Sequence, residues 1–367
     1  MEFVSLLRNY QDRDIHQFTS QVTSNQIEKI LHKNTISETD FLALLSPAAE
    51  NSLETMARKA QQVTVQNFGR VIYLYTPLYL SNHCQNQCVY CGFNIKNRLR
   101  RRTLTVDEVE KEGRLIAKTG LRHILILTGE AKAKASVDYV AACVERLRGY
   151  FSSISIEIYA LETNEYRTLI DSGVDGLTIY QEVFDPVIYD KVHIKGPKKD
   201  YLFRLDAPER ACQAGMRTVN LGALLGLADW RSEVFSLALH ARYLQDKYPG
   251  TEIGVSFPRI RPAQGQFQPQ VIVSDKELVQ MIMALRLFLP RVGVTISTRE
   301  AADFRDNLIR LGVTKMSAGS CTEVGGRLDG EHNDGQFDIS DTRSVEEMKM
   351  AIQKHGYQPV FKDWVTF

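Results

Sequence analysis

Short apolar runs alternate with longer amphipathic segments along the chain from Arg70 onwards. The runs are rich in Val, Ile and Leu and are bounded by polar residues, which is typical of buried strands, while the segments between them have helical periodicity. Eight strands are predicted, at residues 71–75, 123–127, 154–158, 176–180, 218–221, 252–256, 293–296 and 314–317. Helices are predicted near residues 105–119, 137–150, 164–172, 207–214, 231–247, 275–289, 301–311 and 345–355.

This alternation predicts an α/β fold with a parallel sheet and crossover helices, and eight units favour closure into a (β/α)8 TIM-like barrel. An open doubly wound sheet is the alternative. Before Arg70 the pattern is helical with polar faces, and Ser46-Pro47 is predicted to cap a helix that begins at Ala48. We therefore expect an N-terminal helical extension over residues 1–69 and a barrel with a C-terminal segment over residues 70–367.

Composition narrows the class of protein. The chain has 367 residues, of which 44% are hydrophobic and 24% charged, as in an ordinary soluble globular protein. A net charge of +1 gives no general reason to expect nucleic acid or an anionic membrane as partner. No apolar stretch is long enough for a membrane span, and residues 1–8 lack the pattern of a secretory signal. The expected location is the cytoplasm.

The most informative motif is a loop with three closely spaced cysteines, Cys84, Cys88 and Cys91. Thiolates at this spacing can converge on a soft metal centre, and iron–sulfur clusters are held in this way. Three ligands would leave one iron of a cubane cluster open. The alternatives are a structural zinc with His83 as a further ligand, as in a zinc-stabilised binding or scaffold protein, and a disulfide with a spare thiol.

Polar residues at the predicted strand ends are further candidates, because chemistry in such barrels sits at the carboxyl ends of the strands. The cysteine loop follows the first strand, so the metal centre is expected at that face. Arg299 ends the seventh strand, where a guanidinium can clamp a carboxylate through two parallel hydrogen bonds. The Ser- and Gly-rich loop 317–326 beside it offers hydroxyl and backbone donors. These residues predict a small amino-acid substrate.

The motif Cys-x3-Cys-x-aromatic-Cys resembles the signature of the radical S-adenosylmethionine superfamily. The resemblance implies one [4Fe-4S] cluster with three cysteine ligands, whose open iron is chelated by S-adenosylmethionine, and reductive cleavage to a 5'-deoxyadenosyl radical. It further implies that Glu130 holds the methionine amino group, Glu182 the ribose hydroxyls and Arg210 the carboxylate, with Gly226 near the adenine. The candidate cofactor-binding residues are Tyr90, Phe93, Thr128, Gly129, Glu130, Glu157, Glu182, Arg210 and Gly226.

Further motifs resemble the aromatic amino-acid lyase branch of this superfamily: Tyr180-Gln181-Glu182, residues 196–198, 257–262, 297–300 and 317–320. The resemblance implies removal of a hydrogen atom from the amino group of tyrosine and Cα–Cβ cleavage to 2-iminoacetate (dehydroglycine) and 4-methylphenol, for the thiazole of thiamine. Arg299 and Ser317 would then hold the tyrosine carboxylate. The candidate substrate-binding residues are Tyr180, Gln181, Arg299, Ser317 and Ser320. The implied partners are thiazole synthase and an electron donor such as flavodoxin.

Two relatives within this branch compete with that interpretation. The tyrosine lyase of hydrogenase cofactor maturation carries additional C-terminal cysteines, whereas this sequence has none after Cys321. The tryptophan lyase of indolic acid synthesis shares the framework, and the sequence does not separate a phenol pocket from an indole pocket. It stays open as an alternative.

Other signals are expected to be structural. The basic run 96–102 is predicted to be a solvated loop rather than a nucleic-acid site, with a docking surface for a protein partner as a second possibility. Cys143 and Cys212 are predicted to pack in the core. Cys321, near the predicted site, is also expected to be a packing thiol. His193 and His240 show no pattern of a ligand.

Overall fold

Eight parallel strands close into a barrel in a computed structural model that describes residues 2–11, 14–265, 267–330 and 334–362. Each strand pairs with its neighbour in chain order, and β1 pairs with both β8 and β2, which completes the ring. The predicted (β/α)8 barrel is therefore confirmed. The strands are β1 Val71–Ser81, β2 His123–Thr128, β3 Ser153–Glu157, β4 Gly176–Glu182, β5 Thr218–Ala223, β6 Glu252–Ser256, β7 Gly293–Ile296 and β8 Lys315–Ser317.

Helices cover the outside of the barrel, and the longer ones are amphipathic, with an apolar face packed against the strands. Several begin with a Ser or Thr whose side chain caps the first turn and a Glu that bonds back to it, as Thr105 and Glu108 do. These helices are α6 Val106–Lys118, α7 Val137–Leu147, α8 Thr163–Ser172, α9 Pro186–Val192, α10 Tyr201–Leu205, α11 Ala207–Ala214, α12 Trp230–Lys247, α13 Asp275–Phe288, α14 Ala302–Leu308, α15 Gly326–Asp329 and α16 Val345–Lys354.

The N-terminal region is helical, as predicted, and consists of α1 Phe3–Gln11, α2 Ile15–Gln21, α3 Ser24–Leu31, α4 Glu38–Leu44 and α5 Leu53–Phe68. Ser46 occupies the predicted N-cap position with Pro47 after it, but residues 47–52 form a 3₁₀ helix ahead of α5, and the buried Ser46 hydroxyl makes no capping hydrogen bond. The Gln280 amide of α13 donates to the carbonyls of Leu44 and Ser46 at 2.8 and 2.9 Å, and the Phe41 ring stacks on Phe288. These contacts fasten the N-terminal helices to the barrel, and the division at residue 69 stays a prediction.

A ninth strand, β9 Gln358–Val360, was not predicted from the sequence. It pairs in parallel with the beginning of β1, from Val71 to Tyr73, whereas the later part of β1 pairs with β2. The strand is short and contains Pro359, so it has no apolar run that would reveal it. Of the described helices, none combines the length and the hydropathy needed to cross a bilayer.

Candidate active site

The cysteine loop leaves β1 and is held in place largely by one arginine. The guanidinium of Arg101 donates to the carbonyl oxygens of Asn82 at 2.6 Å, Phe93 at 2.9 Å and Asn94 at 2.6 Å. The neighbouring Arg102 pairs with Glu108 at 2.6 Å. Both side chains are therefore structural, and the expectation of a wholly solvated basic loop is wrong for this end of the run.

The three thiols of the loop are free, with Cys88 buried and Cys84 and Cys91 partly exposed. Burial raises the pKa of Cys88 to about 12 and also raises the pKa of Cys91. Amide groups nevertheless point at two of the sulfurs, from the Asn86 backbone to Cys84 Sγ at 3.5 Å and from Gln336 Nε2 to Cys91 Sγ at 3.9 Å. Such N–H···S contacts favour the thiolate form, which metal ligation also requires. The donor set fits an iron–sulfur cluster.

The described residues contain no group of three His, Cys, Asp or Glu side chains arranged for a single metal ion. A cubane cluster does not need such a group, because each thiolate binds a separate iron atom.

Gly129, at the end of β2, lies directly against this loop. A Cβ atom at this position would be 2.3 Å from the carbonyl oxygen of His83 and 3.2 Å from Cys84 Cβ. The next residue, Glu130, accepts a hydrogen bond from Asn86 Nδ2 at 2.7 Å. The absence of a side chain at Gly129 thus allows the cysteine loop to approach, and the end of β2 sets the position of Cys84.

Replacing Gly129 by Ala is expected to displace the cysteine loop, since the backbone oxygen that a Cβ would meet cannot rotate away. We expect a stability loss of about 1–3 kcal/mol, as for other overpacked sites, together with less iron bound after reconstitution. Thermal unfolding and iron analysis measure both. Gly149→Ala is the matched control, because a Cβ there meets open space. Full iron content in Gly129→Ala would show that the contact does not position the loop.

The segment between β4 and α11 covers the loop from the other side. The His193 ring donates from Nδ1 to the Tyr189 carbonyl at 2.9 Å, so its Nε2 accepts from the Tyr90 hydroxyl at 2.7 Å. Burial, with Lys198 nearby, lowers the pKa of His193 to about 2, which keeps the ring neutral in this role. His193 therefore orients Tyr90, the aromatic residue between the second and third cysteines. The sequence did not indicate a role for His193, because no ligand pattern surrounds it.

Lys198 from the same segment forms a buried ion pair with Glu182 at 2.6 Å. Burial lowers the pKa of the Lys198 ammonium, but the attraction of the Glu182 carboxylate raises this pKa by more, so the net shift is upward. Glu182 has a φ of 72°, the one positive value among the described non-glycine residues. Such strain at the end of β4 is typical of functional sites.

The strand ends and the cysteine loop enclose a cavity of about 70 Å³, which we call the mouth cavity. Its lining residues are Tyr90, Cys91, Glu157, Tyr180, Glu182, Lys198, Leu224, Pro258, Ile260, Arg261, Arg299, Gln336 and Phe337.

Two opposite charges face each other across the mouth cavity, Arg299 and Glu157. The Arg299 guanidinium lies 3.5 Å from the centre of the Phe337 ring, which covers the face of the guanidinium and leaves its edges for hydrogen bonds. Burial and the nearby Glu182 raise the pKa of Glu157 to about 7. Ser317 does not line the cavity, since it is buried with its hydroxyl accepting from the amide of Thr298, the residue before Arg299, at 3.0 Å.

Several predicted site residues do not line the mouth cavity. Arg210 donates to the carbonyls of Leu161 and Phe203 at 2.8 and 2.7 Å, and Gln181 points to the outer side of the barrel beside His240. Gly226 packs against Ile260. Phe93 is buried edge-on against Tyr79, 5.8 Å between ring centres. The hydroxyls of Thr128 and Ser320 are buried without hydrogen-bond partners, so both can still accept a ligand contact.

Arg204 is the buried arginine close to the site. Its guanidinium donates to the Tyr180 carbonyl at 2.9 Å. Burial lowers the pKa of Arg204, but the nearby Tyr189, Glu182 and Glu130 raise it by more. The sequence analysis missed it because it lies on the short helix α10, which the apolar pattern does not reveal.

A larger cavity of about 560 Å³ lies at the opposite end of the barrel, around Arg217, Asn220 and Lys315. Tyr180 lines both cavities and separates them. Because the cysteine loop and the strand ends with acidic and basic side chains meet at the smaller cavity, we assign the site to that end despite its size.

Comparison with known proteins shows the family of the chain. Residues 78–238 match the Radical SAM superfamily, and residues 256–358 match the Biotin and Thiamin Synthesis associated domain. The chain is 40% identical to 2-iminoacetate synthase of Escherichia coli K12, covering 96% of this chain and 94% of that protein. It is also 40% identical to 2-iminoacetate synthase of Salmonella typhimurium, covering 99% and 96%.

Among solved structures, the FeFe-hydrogenase maturase HydG from Carboxydothermus hydrogenoformans superposes with a TM-score of 0.88 at 30% identity, covering 98% of this chain and 84% of HydG. Methylornithine synthase shares the fold at 20% identity with a TM-score of 0.73. A match at 40% identity over nearly the full length of both chains defines a family, and the superfamily match includes the cysteine loop. The chain belongs to the 2-iminoacetate synthase family of radical S-adenosylmethionine enzymes.

Proposed function

We propose that this protein cleaves the Cα–Cβ bond of L-tyrosine to give 2-iminoacetate and 4-methylphenol, with 5'-deoxyadenosine and methionine as co-products. The observation that carries the proposal is the pair Arg299 and Glu157 on one cavity that also touches Cys91 and Tyr90. This pair matches the carboxylate and ammonium groups of an amino acid, and it lies next to the cysteine loop. When bound there, the reduced cluster and S-adenosylmethionine supply the 5'-deoxyadenosyl radical.

The residues of this chain bind and orient the substrate. Arg299 holds the tyrosine carboxylate through the N–H groups of its guanidinium, with Ser317 as a further donor, while Glu157 faces the amino group. Fixing both groups of the amino acid selects which hydrogen is turned toward the cysteine loop. A hydrogen atom is removed from the neutral amine, so the ammonium group of tyrosine must first lose a proton. Glu157 accepts this proton.

We propose that Cys84, Cys88 and Cys91 are the three ligands of one cluster. Tyr90, Glu130 and Glu182 are the residues best placed to contact S-adenosylmethionine, because all three adjoin the loop. Lys198 holds Glu182 in position through their ion pair, and Arg204 braces the neighbouring Tyr180 carbonyl.

The mouth cavity must enlarge when both ligands bind. Its volume of about 70 Å³ is far below the ~300 Å³ lower end for pockets that hold drug-sized ligands. Ile260, Arg261, Gln336 and Phe337 come from loops that follow β6 and β8, and we propose that these loops move outward to admit substrate and close again over it.

The rate of tyrosine cleavage is expected to rise with pH through about 7. The raised pKa of Glu157 means that the carboxylate needed by the substrate amine is protonated below this value and ionised above it. In Glu157→Gln we expect kcat/KM for tyrosine to fall by roughly 10²–10⁴, the usual contribution of a general base, and the rising limb near pH 7 to disappear. Steady-state kinetics from pH 5.5 to 8.5 measures both. Glu54→Gln, on an exposed helix surface, is the control, and an unchanged pH profile in Glu157→Gln would contradict this role.

Two protein partners follow from the reaction. The imine product hydrolyses in water, so we propose that it passes directly to thiazole synthase, and that an electron carrier such as flavodoxin supplies the reducing electron. All six cysteines are free thiols, in keeping with a reducing compartment, and we propose the cytoplasm.

The test is an anaerobic incubation of the reconstituted protein with dithionite, S-adenosylmethionine and either tyrosine or tryptophan. Formation of 4-methylphenol and of 2-iminoacetate, detected as its hydrolysis product glyoxylate, is expected with tyrosine alone. Consumption of tryptophan to an indolic acid, without 4-methylphenol from tyrosine, would replace this proposal by a tryptophan lyase. A protein that stays colourless after reconstitution and keeps stoichiometric zinc would contradict both the tyrosine lyase and the tryptophan lyase.

A further inference from the structure

Two exposed isoleucines flank the outer side of the cysteine loop at the same point. The backbone N–H of Ile95 donates to the Asn86 carbonyl at 3.0 Å, and that of Ile194 donates to the Gln87 carbonyl at 3.3 Å. Their side chains are 49% and 51% exposed, whereas most large apolar side chains in the described chain are buried. Two segments far apart in sequence thus present apolar side chains beside one dipeptide of the loop.

Three exposed lysines surround this point. Lys96 and Lys195 directly follow the two isoleucines, and Lys134 lies four residues after Glu130, whose carbonyl accepts a hydrogen bond from the Gln85 amide of the loop at 2.9 Å. None of the three has an ion-pair partner in the part of the chain that the structure describes, unlike Lys132, which pairs with Glu165. We call Ile95, Lys96, Lys134, Ile194 and Lys195 the rim surface.

The positive charge is local to these segments. Residues 83–102, 131–135 and 191–199 contain eleven Lys or Arg and no Asp or Glu, although the whole chain carries 45 basic and 44 acidic residues. Seven of the eleven have no ion-pair partner in the described part of the chain, because the other four pair with acidic residues outside these segments: Arg102, Lys132, Lys198 and Lys199. Charge concentrated in this way steers an oppositely charged partner and sets its orientation. The rim surface therefore combines a basic ring with a small apolar centre.

The rim surface is also close to the proposed cluster. The Asn86 carbonyl is bonded to Ile95, while the N–H of the same residue points at Cys84 Sγ at 3.5 Å. A partner seated on Ile95 and Ile194 would be separated from a cluster ligand by little more than one residue of backbone. Electron-transfer partners typically form small, transient, charge-steered contacts of this kind.

We propose that the rim surface is the docking site for an acidic one-electron carrier protein that reduces the cluster. This inference rests on the proposed function, because it assumes a cluster held by the cysteine loop. The carrier loses one electron and the cluster gains it, and no bond is formed or broken. An anionic membrane or a nucleic acid would also be attracted by the charge, but neither needs a site beside the thiols.

The experiment compares the wild type with Lys96→Glu/Lys134→Glu/Lys195→Glu, using reduced flavodoxin, an acidic flavin protein, as the probe. Stopped-flow absorbance follows cluster reduction at low and high salt, and a titration measures carrier binding separately. In the rim variant we expect the second-order rate constant for reduction by flavodoxin to fall at least tenfold, within the ~10 to ~10³ range of charge-steered association. This rate constant should also lose most of its salt dependence, and flavodoxin should bind more weakly. Reduction by dithionite is expected to be unchanged.

The control variant is Lys29→Glu/Lys118→Glu/Lys354→Glu, which reverses three exposed lysines elsewhere on the surface. Equal rates of cluster reduction by flavodoxin in the rim variant and the wild type would overturn the proposal. An equal fall in the rate of reduction by dithionite would also overturn it, as would a rim variant that still binds flavodoxin and loses only its binding to a DNA oligonucleotide. Failure of the wild type to form 4-methylphenol with dithionite would instead refute the proposed reaction. The rates of cluster reduction would still decide the docking site.

Discussion

Replacing Cys88 by Ala is expected to abolish cleavage of S-adenosylmethionine, the largest single effect that the structure predicts. Cys88 is the buried thiol of the loop, and no other cysteine lies near enough in sequence to take its place. A cubane held by two thiolates loses a ligand to one iron, so we expect lower iron and sulfide content and no 5'-deoxyadenosine with dithionite. Metal analysis and product chromatography measure these quantities.

Cys143→Ala is the matched control for that variant, because Cys143 is also buried but lies on α7 in the core. It is expected to lose some stability and to keep its iron and its activity. Cys88→Ala with normal iron content and cofactor cleavage would show that the cluster is held elsewhere.

Replacing Arg299 by Ala is expected to separate tyrosine cleavage from cluster assembly. The guanidinium lines the mouth cavity but contacts no thiol, so iron content should stay normal while the carboxylate of tyrosine loses its partner. Removing one member of a buried charge pair costs about 2–5 kcal/mol, which corresponds to a decrease in kcat/KM of roughly 30- to 5,000-fold. Steady-state kinetics with tyrosine measures the loss.

Arg299→Lys should recover only part of the activity, because an ammonium group cannot form two parallel hydrogen bonds with a carboxylate. Arg310→Ala, which alters an exposed arginine bonded to the His355 carbonyl, is the control. Unchanged kcat/KM in Arg299→Ala would remove this residue from the substrate site.

The sequence predicted the barrel well because each strand contains buried apolar residues and several helices begin with strong caps. All eight barrel strands lie where the apolar runs predicted them. The run 71–75 marked only part of β1, which continues through Thr76 to Ser81. β9 was missed because it is held by pairing with β1 rather than by its own composition.

Within the site, residues at strand ends were predicted best. Glu157, Tyr180 and Arg299 line the mouth cavity because barrel topology brings the carboxyl ends of strands together. Gln181 lies on the outer side because side chains alternate along β4, which leaves Tyr180 and Glu182 facing the cavity.

Contacts between distant segments were not predictable from local patterns. His193 and Tyr90 lie 103 residues apart in sequence, and Cys91 meets Gln336 across 245 residues. No periodicity connects such pairs. The same limitation explains why Arg204 was overlooked in favour of Arg210, since the two arginines lie on consecutive short helices and only packing distinguishes them.

The most direct test of the account is to run the tyrosine reaction in deuterium oxide and to measure the mass of the 5'-deoxyadenosine formed. Arg299 and Glu157 are proposed to turn the amino group toward the cysteine loop, and hydrogens on that group exchange with solvent. The account predicts one deuterium in 5'-deoxyadenosine and an equal amount of 4-methylphenol. Unlabelled 5'-deoxyadenosine formed in a tyrosine-dependent reaction would show that a carbon-bound hydrogen is removed and would contradict the proposed orientation.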